Sequence, residues 1–233
     1  MTTMDAEHYD RAEPVRNRSI ERTGSFYARK VLVLGLTGGV ATGKTTVARM
    51  LEDLGARVVS ADEIVHQMLK SGSPVRHEVV QEFGQGIVKS NGDIDRATLG
   101  DIVFRDAEKR ARLEAIIHPP VLNRLAEEAD GFRSAGDGVL VLEIPLLVEK
   151  SAFALVDKVL VVTAEQETQV RRLEKRSKVT REEAILRVSA QYPMSEKVKY
   201  ADWVVNTEGA LCSTKAQVSK VWHDIQKLLA QPQ

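Results

Sequence analysis

Short apolar runs recur along the chain and alternate with stretches whose apolar residues have helical spacing. The apolar runs lie at Val31–Leu36, Arg57–Ser60, Val139–Ile144, Lys158–Val162 and Trp203–Val205. Continuous apolar runs of this length are typical of strands that are buried on both faces of a parallel sheet. Five such strands separated by helices predict an α/β fold with a doubly wound, five-stranded parallel sheet.

A glycine-rich motif follows the first predicted strand. The run Gly38-Gly39-Val40-Ala41-Thr42-Gly43-Lys44-Thr45 matches the P-loop pattern G-x-x-x-x-G-K-[ST], and a predicted helix begins near Lys44. Glycines let backbone N–H groups surround phosphate oxygens, and the helix N-terminus adds free donors. Lys44 can reach the outer phosphates of a nucleotide, and the Thr45 hydroxyl can bind Mg²⁺. The complete motif favours a nucleotide site over a glycine-rich turn that only caps the helix.

Two helical insertions separate the predicted strands. The longer one spans about residues 62–138 and contains turn signals at Ser71–Pro74 and Asn91-Gly92. A helical insertion of this size beside a P-loop suggests a substrate-binding subdomain. The shorter one spans about residues 165–200 and is rich in arginine. The predicted core consists of segments 31–61, 139–164 and 201–233.

Two acidic residues follow or end predicted strands, at the edge where doubly wound sheets bind ligands. Asp62 follows the second strand, where a carboxylate could accept the proton of an acceptor hydroxyl. The alternative is an N-cap for a helix over residues 63–69, and both roles can hold. Glu143 ends the third strand and either contacts Mg²⁺ through water or is a strand-end acid without a ligand.

The second insertion carries five arginines. They are Arg171, Arg172, Arg176, Arg181 and Arg187. A charge run is usually a solvated helical face, and we assign Arg171, Arg172 and Arg181 to such a face. Phosphoryl transfer needs positive charge over the transferred group. Arg176 and Arg187 could supply that charge if the insertion closes as a lid and excludes water.

Composition narrows the range of partners and locations. Lys plus Arg and Asp plus Glu both number 33, so the net charge is zero and no nucleic-acid-coating surface is expected. No apolar run approaches the roughly 18 residues that suggest a membrane span. The single cysteine, Cys212, cannot form an internal disulfide. Residues 1–30 mix acidic and basic side chains and are predicted to form a poorly ordered extension. A cytoplasmic location is the default expectation.

Several motifs together resemble those of dephospho-coenzyme A kinases. They are Leu36–Gly39 leading into the P-loop, Ala61-Asp62, Ile117-His118-Pro119, Ile144–Leu147 with Glu149, Ala190-Gln191, and Ala201–Asn206 followed by Gly209. Many families share the P-loop, whereas the histidine–proline pair and the Pro145–Glu149 motif, at these distances from a P-loop, are much more specific to this one. The resemblance covers most of the chain, from about Val31 to Gly209.

The resemblance implies a P-loop kinase core with a helical substrate-binding insert and an arginine-bearing lid. It implies that ATP, with Mg²⁺, phosphorylates the ribose 3′-hydroxyl of dephospho-CoA, which is the last step of coenzyme A synthesis. We expect these small molecules to be the only partners, without nucleic acid or membrane, and a monomer or weak homo-oligomer.

Matching motif positions assign roles to individual residues. The P-loop together with Thr46 would hold the ATP phosphates, and Asn206 and Gly209 resemble the loop near the adenine. Asp62 resembles the general base, and Lys44, Arg176 and Arg187 would offset charge on the transferred group. On the substrate side the candidates are Asp62, Arg96, His118, Pro119, Pro145 and Leu146. Thr45 and Glu143 are the candidate metal ligands.

Three positions depart from the family pattern, and two other functions stay open. Ser60 and Glu143 stand where the family usually has aspartate, and Ser177 where it commonly has aspartate or asparagine. A different small-molecule or nucleotide kinase is one alternative, because only the substrate subdomain selects the acceptor. A nucleotide-binding switch is the other, although the chain has no N-K-x-D base-reading motif.

Overall fold

The computed structural model describes residues 30–135 and 137–231. The predicted extension over residues 1–30 lies outside the described residues, apart from Lys30. In the described part of the chain, no helix is both long enough and apolar enough to cross a membrane.

A five-stranded parallel sheet forms the centre of the fold, as predicted. Its strands are β1 (Val31–Gly38), β2 (Arg57–Ser60), β3 (Gly138–Glu143), β4 (Lys158–Thr163) and β5 (Trp203–Asn206). They lie in the order β2-β3-β1-β4-β5, and every neighbouring pair is parallel. Because β1 is central, its carboxyl end lies in the middle of the ligand-binding edge.

Helices connect and cover the strands. Their bounds are α1 (Lys44–Asp53), α2 (Ala61–Met68), α3 (Pro74–Phe83), α4 (Arg96–Arg105), α5 (Ala107–Ala135), α6 (Gln166–Ser177), α7 (Arg181–Ser189), α8 (Met194–Val198) and α9 (Leu211–Ala230). Short 3₁₀ turns lie at Gln85–Ile87 and Ala152–Leu155. Pro119 and Pro120 stand inside α5, which continues through them.

Alternating side chains of the central strand enter two separate cores. Leu34 and Leu36 pack with α1 and α9 on one face of the sheet. Val33 packs on the other face with Leu125 of α5 and other apolar residues of the longer insertion. The longer insertion therefore shares its core with the sheet, and its role as a substrate subdomain stays a prediction. Residues 165–200 contain α6, α7 and α8, and their role as a lid also stays a prediction.

The start of α2 corrects one of the two interpretations of Asp62. The helix begins at Ala61, with Ser60 in the N-cap position. Asp62 is thus the second residue of the helix, so the N-cap interpretation is wrong. A carboxylate in the first turn is still favoured there, because the helix dipole is positive at its N-terminus.

Candidate active site

The P-loop connects β1 to α1 through a backbone that needs glycine at two positions. Gly38 has a φ of 151°, and a Cβ there would lie 2.3 Å from the carbonyl oxygen of Val162. Gly43 has a φ of 92° and occupies the N-cap of α1 in the left-handed region. A side chain at either position would strain the loop. These two glycines therefore fix the loop in the shape that presents the helix N-terminus to a ligand.

Lys44 lies over its own loop, near two carboxylates. Its Nζ donates to the carbonyl oxygens of Gly38 at 3.0 Å and Gly39 at 2.7 Å. Burial lowers the pKa of Lys44 to about 8, although the nearby charges of Glu143 and Asp62 act to raise it. A partly desolvated ammonium in this position gains most from a ligand that brings negative charge.

Thr45 and Glu143 bring two oxygen atoms together at the carboxyl end of β3. The Thr45 hydroxyl donates to Glu143 Oε1 at 3.1 Å, and Glu143 is buried. Among the described residues, no group of three or more His, Cys, Asp or Glu side chains is placed to hold a metal ion. One hydroxyl and one carboxylate fit Mg²⁺, which usually keeps several waters and takes further ligands from phosphates.

Two cavities meet beside the P-loop. The first is lined by the loop itself together with Asp62, Glu143, Pro145, Arg172, Arg176 and Gln191. The second is largely apolar and includes Asp62, Val65, His118, Pro145, Leu146 and Leu125 in its lining. Asp62 and Pro145 line both cavities. A group held in the apolar cavity can therefore meet a phosphate held in the first cavity at the Asp62 carboxylate.

Some predicted substrate-side residues line the apolar cavity and others do not. His118, Pro145 and Leu146 line it, whereas Pro119 is exposed on α5 and does not. Burial lowers the pKa of His118, and the charge of Lys150 adds to this effect. Arg96 is outside both linings.

Arg96 contacts α2 instead. It lies at the start of α4, and its guanidinium is 2.9 Å from Nδ1 of His66. His66 stands one helical turn after Asp62 on the same face of α2. Arg96 thus adds positive charge near the helix that carries Asp62.

The two predicted lid arginines differ in their surroundings. Arg176 lines the cavity at the P-loop. Arg187 does not; it forms an ion pair with Glu183 of its own helix and lies 5.3 Å from the ring centroid of Phe104 in α4. The structure therefore brings Arg176, but not Arg187, to the predicted phosphate site.

Arg172 is a site residue that the sequence analysis placed wrongly. Its guanidinium donates to the carbonyl oxygen of Ala41 at 3.3 Å and to Thr207, at 2.9 Å to Oγ1 and 2.6 Å to the carbonyl oxygen. Assigning it to a solvated face is therefore wrong. Its spacing from Arg176, four residues along α6, could have revealed it, because such residues share a helical face.

Gln191 has a contact that its place in the family motif did not explain. Its Oε1 accepts a hydrogen bond from the backbone N–H of Val40 at 2.6 Å, and the residue lines the cavity at the P-loop. A Cβ on Gly39 would lie only 3.1 Å from the same Oε1 atom. The shorter insertion therefore contacts the P-loop directly.

The loop after β5 approaches the far side of the P-loop. Thr207 donates from its hydroxyl to the carbonyl oxygen of Thr42 at 2.6 Å. Gly209 lines a third cavity together with Gly43, Thr46 and Thr207. Asn206 is not part of that lining, and its side chain accepts a hydrogen bond from the backbone N–H of Glu208 at 2.7 Å. Asn206 thus shapes the loop, and Gly209 borders the cavity.

Comparison with known proteins gives a consistent family. A family model for dephospho-CoA kinase matches residues 32–213. A dephospho-CoA kinase of Geobacillus kaustophilus is 43% identical over 199 residues, which cover 84% of this chain and 99% of that protein. A dephospho-CoA kinase of Bacillus anthracis is 40% identical over 190 residues, covering 82% of this chain and 95% of that protein.

Solved structures give the same result for the fold. A Thermus thermophilus protein has a TM-score of 0.69 and 33% identity, covering 83% of this chain and 96% of that one. Dephospho-CoA kinase from Campylobacter jejuni has a TM-score of 0.59 and 27% identity, with coverages of 84% and 98%. A shikimate kinase from Acinetobacter baumannii, at a TM-score of 0.50 and 16% identity, shares the fold alone. The chain belongs to the dephospho-CoA kinase family.

Proposed function

We propose that this chain transfers the terminal phosphoryl group of ATP to the ribose 3′-hydroxyl of dephospho-CoA, which gives coenzyme A and ADP. The observation that carries the proposal is the position of Asp62, which borders both the cavity at the P-loop and the apolar cavity. A carboxylate between a phosphate site and an acceptor site can orient an acceptor hydroxyl and take its proton.

Other residues around the two cavities would bind the phosphates, the metal ion and the acceptor. Lys44 and Arg176 place positive charge at the cavity where phosphates bind. Thr45 and Glu143 would hold Mg²⁺, which in phosphoryl transfer neutralises phosphate charge. The apolar cavity, lined in part by His118 and Leu146, would hold the acceptor while the hydroxyl lies at Asp62. Transfer then needs positioning and charge stabilisation, with little covalent work for the protein.

A panel of acceptors tests the substrate. With ATP and Mg²⁺, ADP release should be at least about a hundredfold more efficient, as kcat/KM, for dephospho-CoA than for AMP, uridine or shikimate. A preference for another acceptor would overturn the substrate assignment and favour a different kinase on the same fold. Tight nucleotide binding without turnover of any acceptor would favour the switch hypothesis.

Arg172 should matter for nucleotide binding, whereas its neighbour Arg171 should not. Arg172→Ala removes the hydrogen bonds that join the P-loop at Ala41 to Thr207, so we expect KM for ATP to rise by about tenfold. Arg171 is exposed, and its hydrogen-bond contact is with Thr168 of its own helix, so Arg171→Ala is the matched control. Steady-state kinetics with varied ATP compare the two; equal KM values would remove Arg172 from the site.

A cytoplasmic location, the absence of nucleic-acid partners and a monomer or weak homo-oligomer stay predictions from the sequence. The roles of the individual site residues also stay predictions. Arg96, Pro119, Arg187 and Asn206 line none of the cavities described above.

A further inference from the structure

Lys197 of α8 is a buried charged side chain that the proposed mechanism does not use. Only 2% of its side chain is exposed. Its Nζ donates to the carbonyl oxygen of Pro145 at 2.9 Å and forms an ion pair with Glu149 Oε1 at 2.7 Å. Burying an ammonium is costly unless it is paired and hydrogen-bonded, so these two contacts hold Lys197 in one place.

The Pro145 carbonyl is a meeting point of three elements. It also accepts a hydrogen bond from the Thr37 hydroxyl at 3.1 Å, and Thr37 is the residue of β1 directly before Gly38. Pro145 itself lines both the cavity at the P-loop and the apolar cavity. Lys197 therefore joins α8 and the end of β1 to the wall that the two cavities share.

Glu149 is the second residue that Lys197 binds at this wall. Its second carboxylate oxygen, Oε2, is buried without a hydrogen-bond partner among the described residues. The turn between Pro145 and Glu149 begins beside the cavities, and Lys197 binds both of its ends. An apolar pair of similar size could fill this space without loss of stability. An ionic pair at this place therefore indicates a role in geometry.

We infer that Lys197 is a positioning residue for the acceptor: it binds the Pro145 carbonyl and the Glu149 carboxylate, and so fixes the wall that the apolar cavity shares with the cavity at the P-loop. The inference rests on the proposed function, because it assumes that this cavity holds the acceptor. Lys197 acts through Pro145 and Glu149 and does not itself touch the reacting groups.

ATP binding should not depend on the contacts of Lys197 with Pro145 and Glu149. Lys197 does not line the cavity at the P-loop, and its own contacts are with Pro145 and Glu149, not with the residues of the loop. Loss of Lys197 should therefore affect the acceptor and leave ATP binding nearly unchanged.

Three variants separate positioning from stability: Lys197→Met, Glu149→Met and the double variant. Lys197→Met leaves Glu149 as an unpaired carboxylate, so we expect its Tm to fall by about 5–10 °C, while the double variant should recover most of that loss. Both variants that lack Lys197 should lose about 10- to 100-fold in kcat/KM for dephospho-CoA, with KM for ATP within about twofold of the wild type. The matched control is Lys199→Met, because Lys199 is exposed and pairs with Glu196.

The double variant decides whether Lys197 positions the acceptor or only stabilises the fold. If it recovers both Tm and kcat/KM, the pair only stabilises the fold and the inference is wrong. An equal loss for ATP and for the acceptor would contradict it as well. If the wild type does not turn over dephospho-CoA, the proposed function fails, and the same four variants measured with the acceptor that the panel selects then decide the role of Lys197.

Discussion

Replacing Asp62 by asparagine is expected to lower kcat by about two to four orders of magnitude and to leave ATP affinity nearly unchanged. Asparagine keeps the size of the side chain but cannot take a proton from the acceptor hydroxyl. Asp62 is exposed in the first turn of α2 and has no structural partner in the described part of the chain, so the fold should be undisturbed. Steady-state kinetics give kcat, and titration with ATP gives the affinity.

Glu63→Gln is the control for this experiment. Glu63 is the next acidic residue of the same helical turn and is also exposed, but it lines neither cavity. It should keep nearly the full rate. Turnover near the wild-type value in Asp62→Asn would remove Asp62 from the mechanism. A large fall in ATP affinity would instead assign Asp62 to nucleotide binding.

The sequence predicted the strands and the P-loop well because their patterns are local. A strand that is buried on both faces is apolar almost throughout, so β4, whose residues from Val159 to Val162 are all buried, could be read to within one residue from the run Lys158–Val162. Likewise, α1 begins at Lys44, where the motif places the start of a helix. The approach of Asp62 to the P-loop followed from topology, since the carboxyl ends of parallel strands share one edge.

Contacts between distant residues could not be predicted in this way. Arg172 binds Ala41, which is 131 residues away, and Lys197 binds Pro145 at a separation of 52 residues. On their own helices these side chains look like the other charged residues of a solvated face. What distinguishes them is burial by other elements. For Arg172 the four-residue spacing from Arg176 was a signal, whereas neither composition nor periodicity marks Lys197. Arg187 shows the opposite case, because a motif match placed it at the site and the structure places it beside Phe104.

Replacing Lys44 by methionine is expected to lower kcat by about two to three orders of magnitude, because a charged donor to the transferred group is lost. Methionine has a similar length and packs against the loop without a charge. The substitution leaves Gly38, Gly43 and the start of α1 unchanged, so the P-loop should keep its shape. The measurement is ADP release with saturating dephospho-CoA, and Lys70→Met, at an exposed lysine outside both cavities, is the control. An unchanged rate in Lys44→Met would contradict the phosphate role of the P-loop.

The pH dependence of ATP binding tests the charge of Lys44 without a substitution in the P-loop. Since burial lowers the pKa of Lys44 to about 8, the free protein loses this charge as the pH rises through that value. ATP affinity should therefore fall by roughly tenfold between pH 7 and pH 9, and Lys44→Met should lack this dependence. The stability of the free protein should change in the opposite direction. Between a pH of about 8 and 10.5, Lys44 binds more protons in the unfolded chain than in the folded one. The free energy of unfolding therefore rises with pH over this range. A wild-type affinity that is flat from pH 7 to pH 9 would contradict the expected loss of the Lys44 charge from the nucleotide site in this range, whatever the rate of the methionine variant.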